Sequence, residues 1–518
     1  MGSPTLSTVV PSLVLLILFF VSSFLITVSS EPNEEADTLL KWKASLQSRN
    51  QSRLPSWTKA TTNVSSKISP CAWYGISCND AGRVINISLR NTGLSGTLHG
   101  FSFSSFPRLA YLDLTGSGLF GTIPPEVGLL SHLKFLFIDT NKLDGSIPPE
   151  VGQLSSMEVF FLCSNYLNGS VPPSLGNLSH ISLLFIYDNL FSGFIPSDIG
   201  NSKSIFNLDL SSNQFSGPIP LFFGNLSNLK SLYLYGNSLS SPILSSLGKF
   251  KSLIDLQLNE NQFTGYIPRS FGNLTSLSTL RLSKNELFGS IPDEIGKMRS
   301  LSVLDLNENQ FKGVLPPSIS NLTNLKELAL LYNHLSGSIP PSLGNLILRE
   351  LLLSGNHFAG YLPYNICQGG ALEIFTVSEN HFQGTIPTSV RNCTSLIRVH
   401  LNGNNLTGNI SEALAIYPNL TFIDLSRNNF YGEISSNWGK CPKLDTLNVS
   451  MNNITGGIPR EIGNSSQLQA LDLSLNHIVG EIPKELGKLN SLTKLILRGN
   501  QRAVTLSFIN KVCSSLEA

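Results

Sequence analysis

The chain has 518 residues, of which 13% are charged, and its 35 Lys and Arg residues nearly balance its 34 Asp and Glu residues. Globular proteins carry about 25% charged residues, and nucleic-acid binding needs a basic excess that is missing here. A chain of this length either divides into several domains or repeats one unit many times.

The N-terminus contains an apolar run over 13–28, followed by two serines and an acidic stretch. This pattern predicts a secretory signal peptide over 1–30, cleaved near Ser30, and a secreted or extracellular location. The segment before the run has no Lys or Arg, which leaves an uncleaved signal anchor as the alternative. No later apolar run reaches the length of a membrane span, so we expect no further span.

Residues 31–82 are predicted to form an N-terminal cap. Apolar residues from Ala36 to Leu46 recur at helical spacing, which predicts an amphipathic helix that covers the first unit of the following region. Cys71 and Cys78 enclose a short loop, and we expect them to form a disulfide in an oxidising compartment.

From 83 to 500 the sequence repeats with a period of about 24 residues, in the form LxxLxLxxNxLxGxIPxxLGxLxx. One step, from Asn333 to Asn356, is a residue shorter, and Thr92 and Ser117 hold the asparagine position in two earlier units, giving about eighteen repeats. The template asparagines are Asn141, Asn165, Asn189, Asn213, Asn237, Asn261, Asn285, Asn309, Asn333, Asn356, Asn380, Asn404, Asn428, Asn452, Asn476 and Asn500.

The template predicts a solenoid. Its LxL alternation points the apolar side chains of a short strand inward, and stacked strands form a parallel sheet on the concave side. We expect each inward asparagine to hydrogen-bond backbone groups of its own coil and the next coil, because these groups are buried. The glycine four residues later indicates a backbone position that does not tolerate a Cβ atom.

Three features together resemble the ectodomains of plant leucine-rich-repeat receptor kinases. They are an acidic start to a helix that carries Trp42, the CxWxGxxC segment from Cys71 to Cys78, and GxIP repeats from Leu94 to about Asn500. The resemblance implies an α/β solenoid of plant type, a right-handed leucine-rich-repeat superhelix with a parallel concave sheet and a helical N-terminal cap.

Segments 365–373, 391–413 and 417–430 are similar to the male-discoverer-interacting group of these receptors. Members of that group continue with further repeats, a second cysteine cap, one transmembrane helix and a cytoplasmic Ser/Thr kinase. Residues 501–518 depart from the repeat template, and we interpret them as an aberrant tail of a C-terminally truncated product. A link to the membrane is then expected only through a missing C-terminal segment or an uncleaved signal.

Enzyme motifs have little support in this chain. Gly116, Gly118 and Gly121 match GxGxxG, but they lie in a repeat turn with no nucleotide-fold helix after them. The kinase lysine, HRD and DFG elements are absent, and the histidines show no HExxH spacing. We therefore expect no catalytic activity, no cofactor and no metal.

Cys367 and Cys393 fall on the convex side of adjacent coils, which predicts a second disulfide. Cys441 occupies the column of Cys393, two coils further along. Two steps of the spacing between strands separate these cysteines by about 10 Å, which is too far for a disulfide. Cys163 and Cys513 are expected to be unpaired.

Asn-x-Ser/Thr sequons predict N-glycosylation along the repeats. Four of them recur every 48 residues on one exposed flank, where glycans leave the sheet open. The predicted sites are Asn63, Asn168, Asn177, Asn225, Asn273, Asn321, Asn392, Asn405, Asn419, Asn453 and Asn464.

Outward positions of the concave strands vary while the template stays fixed, which is typical of a binding surface on a rigid scaffold. Early coils carry aromatic residues there, middle coils carry carboxylates, and later coils carry basic residues. The predicted ligand-binding residues are Phe137, Phe161, Phe185, Tyr187, Tyr233, Tyr235, Asp255, Gln257, Arg281, Asp305, Glu327 and His400.

Two functions follow from this reasoning. The first is the ligand-sensing domain of a plant receptor-like kinase, which binds an extracellular peptide or protein and engages a leucine-rich-repeat co-receptor in defence or development. The second is a secreted decoy or an inhibitor of cell-wall-degrading enzymes. No nucleic-acid partner is expected in either case.

Overall fold

The computed structural model describes residues 32–46, 54–59, 69–501 and 515–517. The predicted signal peptide over 1–30, the sequon at Asn63 and the thiol of Cys513 lie outside the described residues. Of the predicted tail, residue 501 and a strand over Ser515–Glu517 are described.

A 20-stranded sheet, here called the concave sheet, runs through the described repeats. Only its first pair, Ile76–Cys78 with Val84–Ser88, is antiparallel, and the following strands pair in parallel. The later strands are Tyr111–Asp113, Phe135–Phe137, Val159–Phe161, Leu183–Phe185, Asn207–Asp209, Ser231–Tyr233, Asp255–Gln257, Thr279–Arg281, Val303–Asp305, Glu327–Ala329, Glu350–Leu352, Ile374–Thr376, Arg398–His400, Phe422–Asp424, Thr446–Asn448, Ala470–Asp472, Lys494–Ile496 and Ser515–Glu517.

A second set of parallel strands, the lateral sheet, follows the turns of the coils. Two short strands, Phe120–Gly121 and Lys142–Leu143, pair before it. Its 13 strands are Asn168–Gly169, Leu190–Phe194, Gln214–Gly217, Ser238–Pro242, Gln262–Gly265, Glu286–Gly289, Gln310–Val314, His334–Gly337, His357–Tyr361, His381–Thr385, Asn405–Asn409, Asn429–Glu433 and Asn453–Thr455.

Short helices close the convex side of the coils. In the described residues, the α-helices are the cap helix Pro32–Ser45 and two one-turn helices of the convex side, Thr388–Arg391 and Ile410–Ala413. The 3-10 helices are Pro70–Ala72, Phe103–Ser105, Pro125–Leu129, Pro149–Gln153, Pro173–Asn177, Ser197–Asn201, Leu221–Asn225, Ser245–Lys249, Arg269–Asn273, Asp293–Lys297, Pro317–Asn321, Pro341–Asn345, Ser436–Lys440, Arg460–Asn464 and Lys484–Lys488.

The predicted register is confirmed by the strand pairing. Leu256 and Leu280, 24 residues apart, lie opposite each other, and both are fully buried. The short repeat step is absorbed without a slip, because Glu327 pairs with Glu350 at a spacing of 23 residues. The missing residue is therefore taken from the convex side, and the concave sheet continues unbroken.

The template asparagines form a ladder inside the coils, as Asn285 shows. Its Nδ2 donates to the carbonyls of Leu282 and Ser283 in its own coil, at 3.1 and 3.2 Å. The same nitrogen donates to the Leu258 carbonyl at 3.0 Å, and its Oδ1 accepts from the Phe263 N–H at 3.0 Å. The prediction of bonds to the next coil is wrong: the partner is the preceding coil, because the turn places the amide beneath its strand end.

Hydroxyl groups replace the amide in the first coils. Thr92 and Ser117 occupy the asparagine position, and their hydroxyls donate to the Leu89 carbonyl at 2.6 and 2.7 Å. The buried carbonyl is thus satisfied with a shorter side chain.

The cap helix Pro32–Ser45 packs on the first coil through polar contacts as well as apolar ones. The Trp42 indole N–H donates to the Thr97 carbonyl at 3.1 Å. The buried Glu35 carboxylate accepts from the Val84 N–H at 3.0 Å, at the start of the first repeat strand. The helix therefore supplies hydrogen-bond partners to backbone groups at the end of the solenoid, where no preceding coil is available to do so.

Two disulfides form within the part of the chain that the structure describes. Cys71 and Cys78 have Cα atoms 5.5 Å apart, and Cys367 and Cys393 join adjacent coils at a Cα separation of 5.9 Å. Cys441 is a buried free thiol whose sulfur accepts the Tyr417 N–H.

Candidate functional site: the concave sheet

The early coils present a chain of touching rings, here called the aromatic row. Tyr111 and Phe137 have ring centres 5.5 Å apart, and Phe137 meets Phe161 edge-on at 5.1 Å. Phe161 and Phe185 stack at 4.5 Å, and Phe185 lies 6.4 Å from Tyr187. All five rings are half-buried, because each is packed against its neighbours on one side and open on the concave side.

The aromatic row ends at a pair of groups that are held uncharged. Burial raises the pKa of the Cys163 thiol to about 11. The hydrogen bond with Cys163, together with burial, raises the pKa of the Tyr187 hydroxyl. The thiol stays protonated, so it is not an activated nucleophile.

The coil after the aromatic row presents a carboxyl group. Asp209 is buried, and both the hydroxyl and the backbone N–H of Ser211 donate to its Oδ1, at 2.6 and 3.0 Å. Burial raises the pKa of Asp209, and the two bonds from Ser211 oppose this effect.

A second aromatic group is tied to the first of the predicted carboxylates. The Tyr233 hydroxyl donates to Asp255 Oδ2 at 3.0 Å, and Gln257 Nε2 lies 3.2 Å from both carboxylate oxygens. Burial raises the pKa of Tyr233, with the neighbouring Asp255 acting in the same direction. Tyr235 lies half-buried beside this group. Asp255 is therefore positioned by its neighbours and still faces the open side of the sheet.

One arginine bridges the next two carboxylates, and we call these three residues the Arg281 cluster. Arg281 Nη1 lies 3.4 Å from Asp305 Oδ2, and Arg281 Nη2 lies 3.5 Å from Glu327 Oε2. Burial raises the pKa of Glu327, Arg281 opposes this, and the neighbouring Glu350 reinforces it. Two carboxylates pair with one guanidinium cation, so the cluster carries a net negative charge when both carboxyl groups are ionised.

The later coils present an imidazole packed on a ring. His400 stacks on Phe422 at 4.5 Å, and the Arg398 guanidinium lies 5.0 Å from the centre of the same ring. Burial lowers the pKa of His400, Arg398 acts in the same direction, and Asp424 opposes them. This end of the sheet therefore offers one fixed cation beside a largely neutral imidazole.

The structure places the twelve predicted binding residues along the concave side, where Asp305 is buried and the other eleven are half-buried. It links several of them in ways that the sequence did not predict. Tyr111, which begins the aromatic row, and Asp209, which follows its last ring, were missed. Both lie in the repeat columns of predicted residues, so a column-by-column reading of the template would have found them. Their role in ligand binding stays a prediction.

The described sequons lie away from the core. Ten of the predicted sites fall in the described residues, and the four at 48-residue intervals end exposed 3-10 helices on the convex side. Asn419 is half-buried and accepts from Lys443 Nζ at 2.9 Å. Glycosylation of these residues stays a prediction.

Within the described ranges, no cluster of three or more His, Cys, Asp or Glu side chains is placed to hold a metal ion. In the same part of the chain, no helix combines the length and the apolar character needed to cross a bilayer.

Strands, asparagine ladder and convex 3-10 helices at this period define a plant-type leucine-rich-repeat solenoid. The leucine-rich-repeat N-terminal domain profile matches 32–79, and a leucine-rich-repeat profile matches 438–501. A single-repeat profile matches 204–226, 228–250, 252–274, 276–298, 300–322, 324–346 and 419–441.

Two similar proteins come from the plant Arabidopsis thaliana. A probable leucine-rich repeat receptor-like protein kinase of Arabidopsis thaliana is 47% identical over 95 residues, 18% of this chain and 8% of the relative. MDIS1-interacting receptor like kinase 2 of the same species is 43% identical over 123 residues, 23% of this chain and 11% of the relative. The chain thus covers a small part of the length of both relatives.

A solved structure extends the likeness to the whole solenoid. The Arabidopsis receptor kinase HAESA, in complex with the peptide hormone IDA and the co-receptor SERK1, has a TM-score of 0.79 and 34% identity. The match covers 90% of this chain and 82% of that chain. The present chain belongs to the family of plant leucine-rich-repeat receptor-like kinases and contains their cap and repeats. The profile matches within this chain are to the N-terminal cap and the repeats.

Proposed function

We propose that this chain is the ligand-sensing extracellular part of a plant receptor-like kinase and that it binds an extended peptide or protein segment along the concave sheet. The aromatic row carries this proposal. Its rings touch one another and remain open on one side, so they offer a large apolar contact area that is already ordered. Ordered aromatic anchors bind with little loss of side-chain entropy.

The polar groups beyond the row suggest the chemistry of the ligand. Asp255 and the three residues of the Arg281 cluster lie on four successive coils beyond the aromatic row. A ligand segment that crosses both regions therefore meets rings first and carboxylates second. An extended ligand with apolar side chains near one end and basic or hydroxyl groups further on is complementary to this order.

The solved relative supports the same proposal, because its structure contains a peptide hormone and a co-receptor on a solenoid of similar shape. We therefore propose a leucine-rich-repeat co-receptor as a second partner. In a full-length receptor, joining the two would start signalling in defence or development.

The test uses the full chain secreted from plant cells and the peptide fraction of plant extracellular fluid. Peptides that co-elute with the chain are identified by mass spectrometry, synthesised and titrated by calorimetry. We expect saturable binding that Phe161→Ser and Asp255→Ala each weaken more than about tenfold.

Phe222→Ser is the matched control, because Phe222 is an exposed aromatic residue on the convex helix Leu221–Asn225. The control should bind as the unchanged chain does. Failure to retain any peptide, or equal weakening by Phe222→Ser, would contradict the proposal.

A further inference from the structure

The convex side is irregular at the second disulfide. Most earlier coils carry a five-residue 3-10 helix there, whereas residues 364–369 form turns and the next coil has the α-helix Thr388–Arg391. The sequence explains the change, because the template segment PxxLGxLxx reads PYNICQGGA at 363–371, with Cys367 at the glycine position and Gly369 at the second leucine position. The lost helix leaves a cleft of about 390 Å³ between the two coils.

Two walls border this open cleft, one from each coil, and the Cys367–Cys393 disulfide holds them together at a Cα separation of 5.9 Å. Tyr364 on the first wall has 77% of its surface exposed, more than any other large apolar side chain in the described residues. Tyr364 and Gln368 line the first wall, and Thr388 and Asn392 line the second.

We propose that this cleft seats the first sugar residues of an N-glycan attached to Asn392. Asn392 is exposed, lines the cleft and begins the sequon Asn392-Cys393-Thr394, so a glycan on its side-chain nitrogen starts within the cleft. The volume lies at the lower end of the roughly 300–1,000 Å³ range of small-molecule sites. Nothing larger than the core of the glycan needs to enter.

The lining chemistry suits N-acetylglucosamine. A pyranose ring has an apolar face that packs on an aromatic ring, and the Tyr364 ring is open for such a contact. Its hydroxyl and acetamide groups need polar partners, which the Gln368 amide and the Thr388 hydroxyl supply from opposite walls.

Covalent attachment makes weak contacts sufficient. A tethered sugar loses little additional freedom when it enters the cleft, because its attachment point is already at the rim. Asn392 is itself fixed, since the next residue forms the disulfide that joins the two walls. The seated glycan therefore replaces the missing convex helix and clamps the two coils.

The sequon at Asn273 provides the contrast. It ends the regular 3-10 helix Arg269–Asn273, and the preceding Gly272 has no room for a Cβ atom because the Glu294 carbonyl would lie 2.6 Å away. Adjacent coils pack directly there, so a glycan on Asn273 projects into solvent.

The experiment compares glycan removal at these two positions in the full chain secreted from plant cells. Thr394→Ala removes the first sequon and leaves Asn392 in place, Thr394→Ser keeps it, and Thr275→Ala removes the control sequon. Glycopeptide mass spectrometry should find Asn392 occupied in the unchanged chain and in Thr394→Ser. Thr394→Ala should lower the Tm by about 2 °C more than Thr275→Ala does.

Tyr364→Ala then separates a seated sugar from a general effect of glycosylation. In this background the Tm difference between Thr394→Ala and Thr275→Ala should vanish, and hydrogen exchange over 364–370 should become insensitive to the glycan. An unoccupied Asn392, equal Tm losses at the two sequons, or a difference that survives Tyr364→Ala would overturn the proposal.

Discussion

The asparagine ladder and the concave sheet use neighbouring residues of the same coils in opposite ways. The ladder repeats one side chain with one set of bonds, as at Asn285 and again at Asn476. The concave positions change at almost every coil, from the stacked ring of Phe161 to the buried carboxyl of Asp209 and the bridging guanidinium of Arg281. The fold is therefore specified many times over, whereas each binding position is specified once.

This difference predicts how the two regions respond to substitution. A coil contacts only its neighbours, so damage to the ladder is local but severe there. A change on the concave face leaves the coil closed and alters the surface that a ligand meets.

The sharpest test of the comparison is Asn285→Ala. The change leaves the buried Phe263 N–H without its acceptor and removes donors to three carbonyls, and we expect a loss of about 3 kcal/mol in the free energy of unfolding. Urea denaturation followed by circular dichroism measures the loss. Hydrogen exchange should show that the Phe263 amide opens first.

Glu286→Ala is the control, because Glu286 follows Asn285 in sequence and is exposed on the lateral sheet. It should change stability by less than about 0.5 kcal/mol. Comparable losses in the two variants would mean that the ladder is not what closes the coils.

The ladder was accessible from sequence because the template records it as a period. The direction of its bonds was not, since period alone does not say whether a side chain reaches forward or back. The same holds for the residue before each asparagine. Lys284 and Leu475 have φ of +52° and +53°, a left-handed conformation imposed by the turn, and their residue types do not announce it.

A smaller effect is expected on the concave side, at Glu327. Burial raises its pKa above the ordinary value of 4.5, so the protonated carboxyl favours the folded state. This contribution is complete below about pH 4.5 and is lost as the pH rises through the raised folded pKa. We expect it to remain under about 1 kcal/mol, because the side chain is partly exposed and Arg281 offsets the burial.

Glu327→Gln measures this contribution, because glutamine does not titrate. The difference in urea midpoint between the unchanged chain and the variant should shift against the unchanged chain as the pH rises from 4 to 7. A constant difference would show that the ion pair with Arg281 cancels the effect of burial, and a difference that moves the other way would show that the ion pair dominates.

The sequence predicted which residues lie on the concave face, but it did not predict which of their side chains contact one another. The LxL alternation placed Tyr233, Asp255 and Glu327 on the open side. It did not show that the Tyr233 hydroxyl binds Asp255, or that Arg281 joins Asp305 to Glu327. Such contacts depend on side-chain rotamers across adjacent coils, which a repeat period does not encode.

The smallest expected effect tests whether the repeated positions tolerate variation at all. Ser241 has φ of +76° and occupies the turn position that Gly217 and Gly265 fill at +74° and +80°. A non-glycine side chain in this conformation destabilises the fold by about 1–2 kcal/mol. Glycine removes this strain, but its greater freedom in the unfolded chain destabilises the fold by about 0.5–1 kcal/mol. Ser241→Gly should therefore stabilise the fold by about 0.5 kcal/mol, measured as a higher urea midpoint.

Ser240→Gly provides the opposite expectation within the same strand. Ser240 is not among the residues with positive φ, so glycine there relieves no strain and should destabilise the fold by about 0.5–1 kcal/mol. If both variants lost stability, the turn position would be fixed by the Ser241 side chain and not by its backbone. If Ser241→Gly alone gained stability, the positive φ of the backbone would be what favours glycine at this position, and Ser241 would destabilise its coil by adopting that φ.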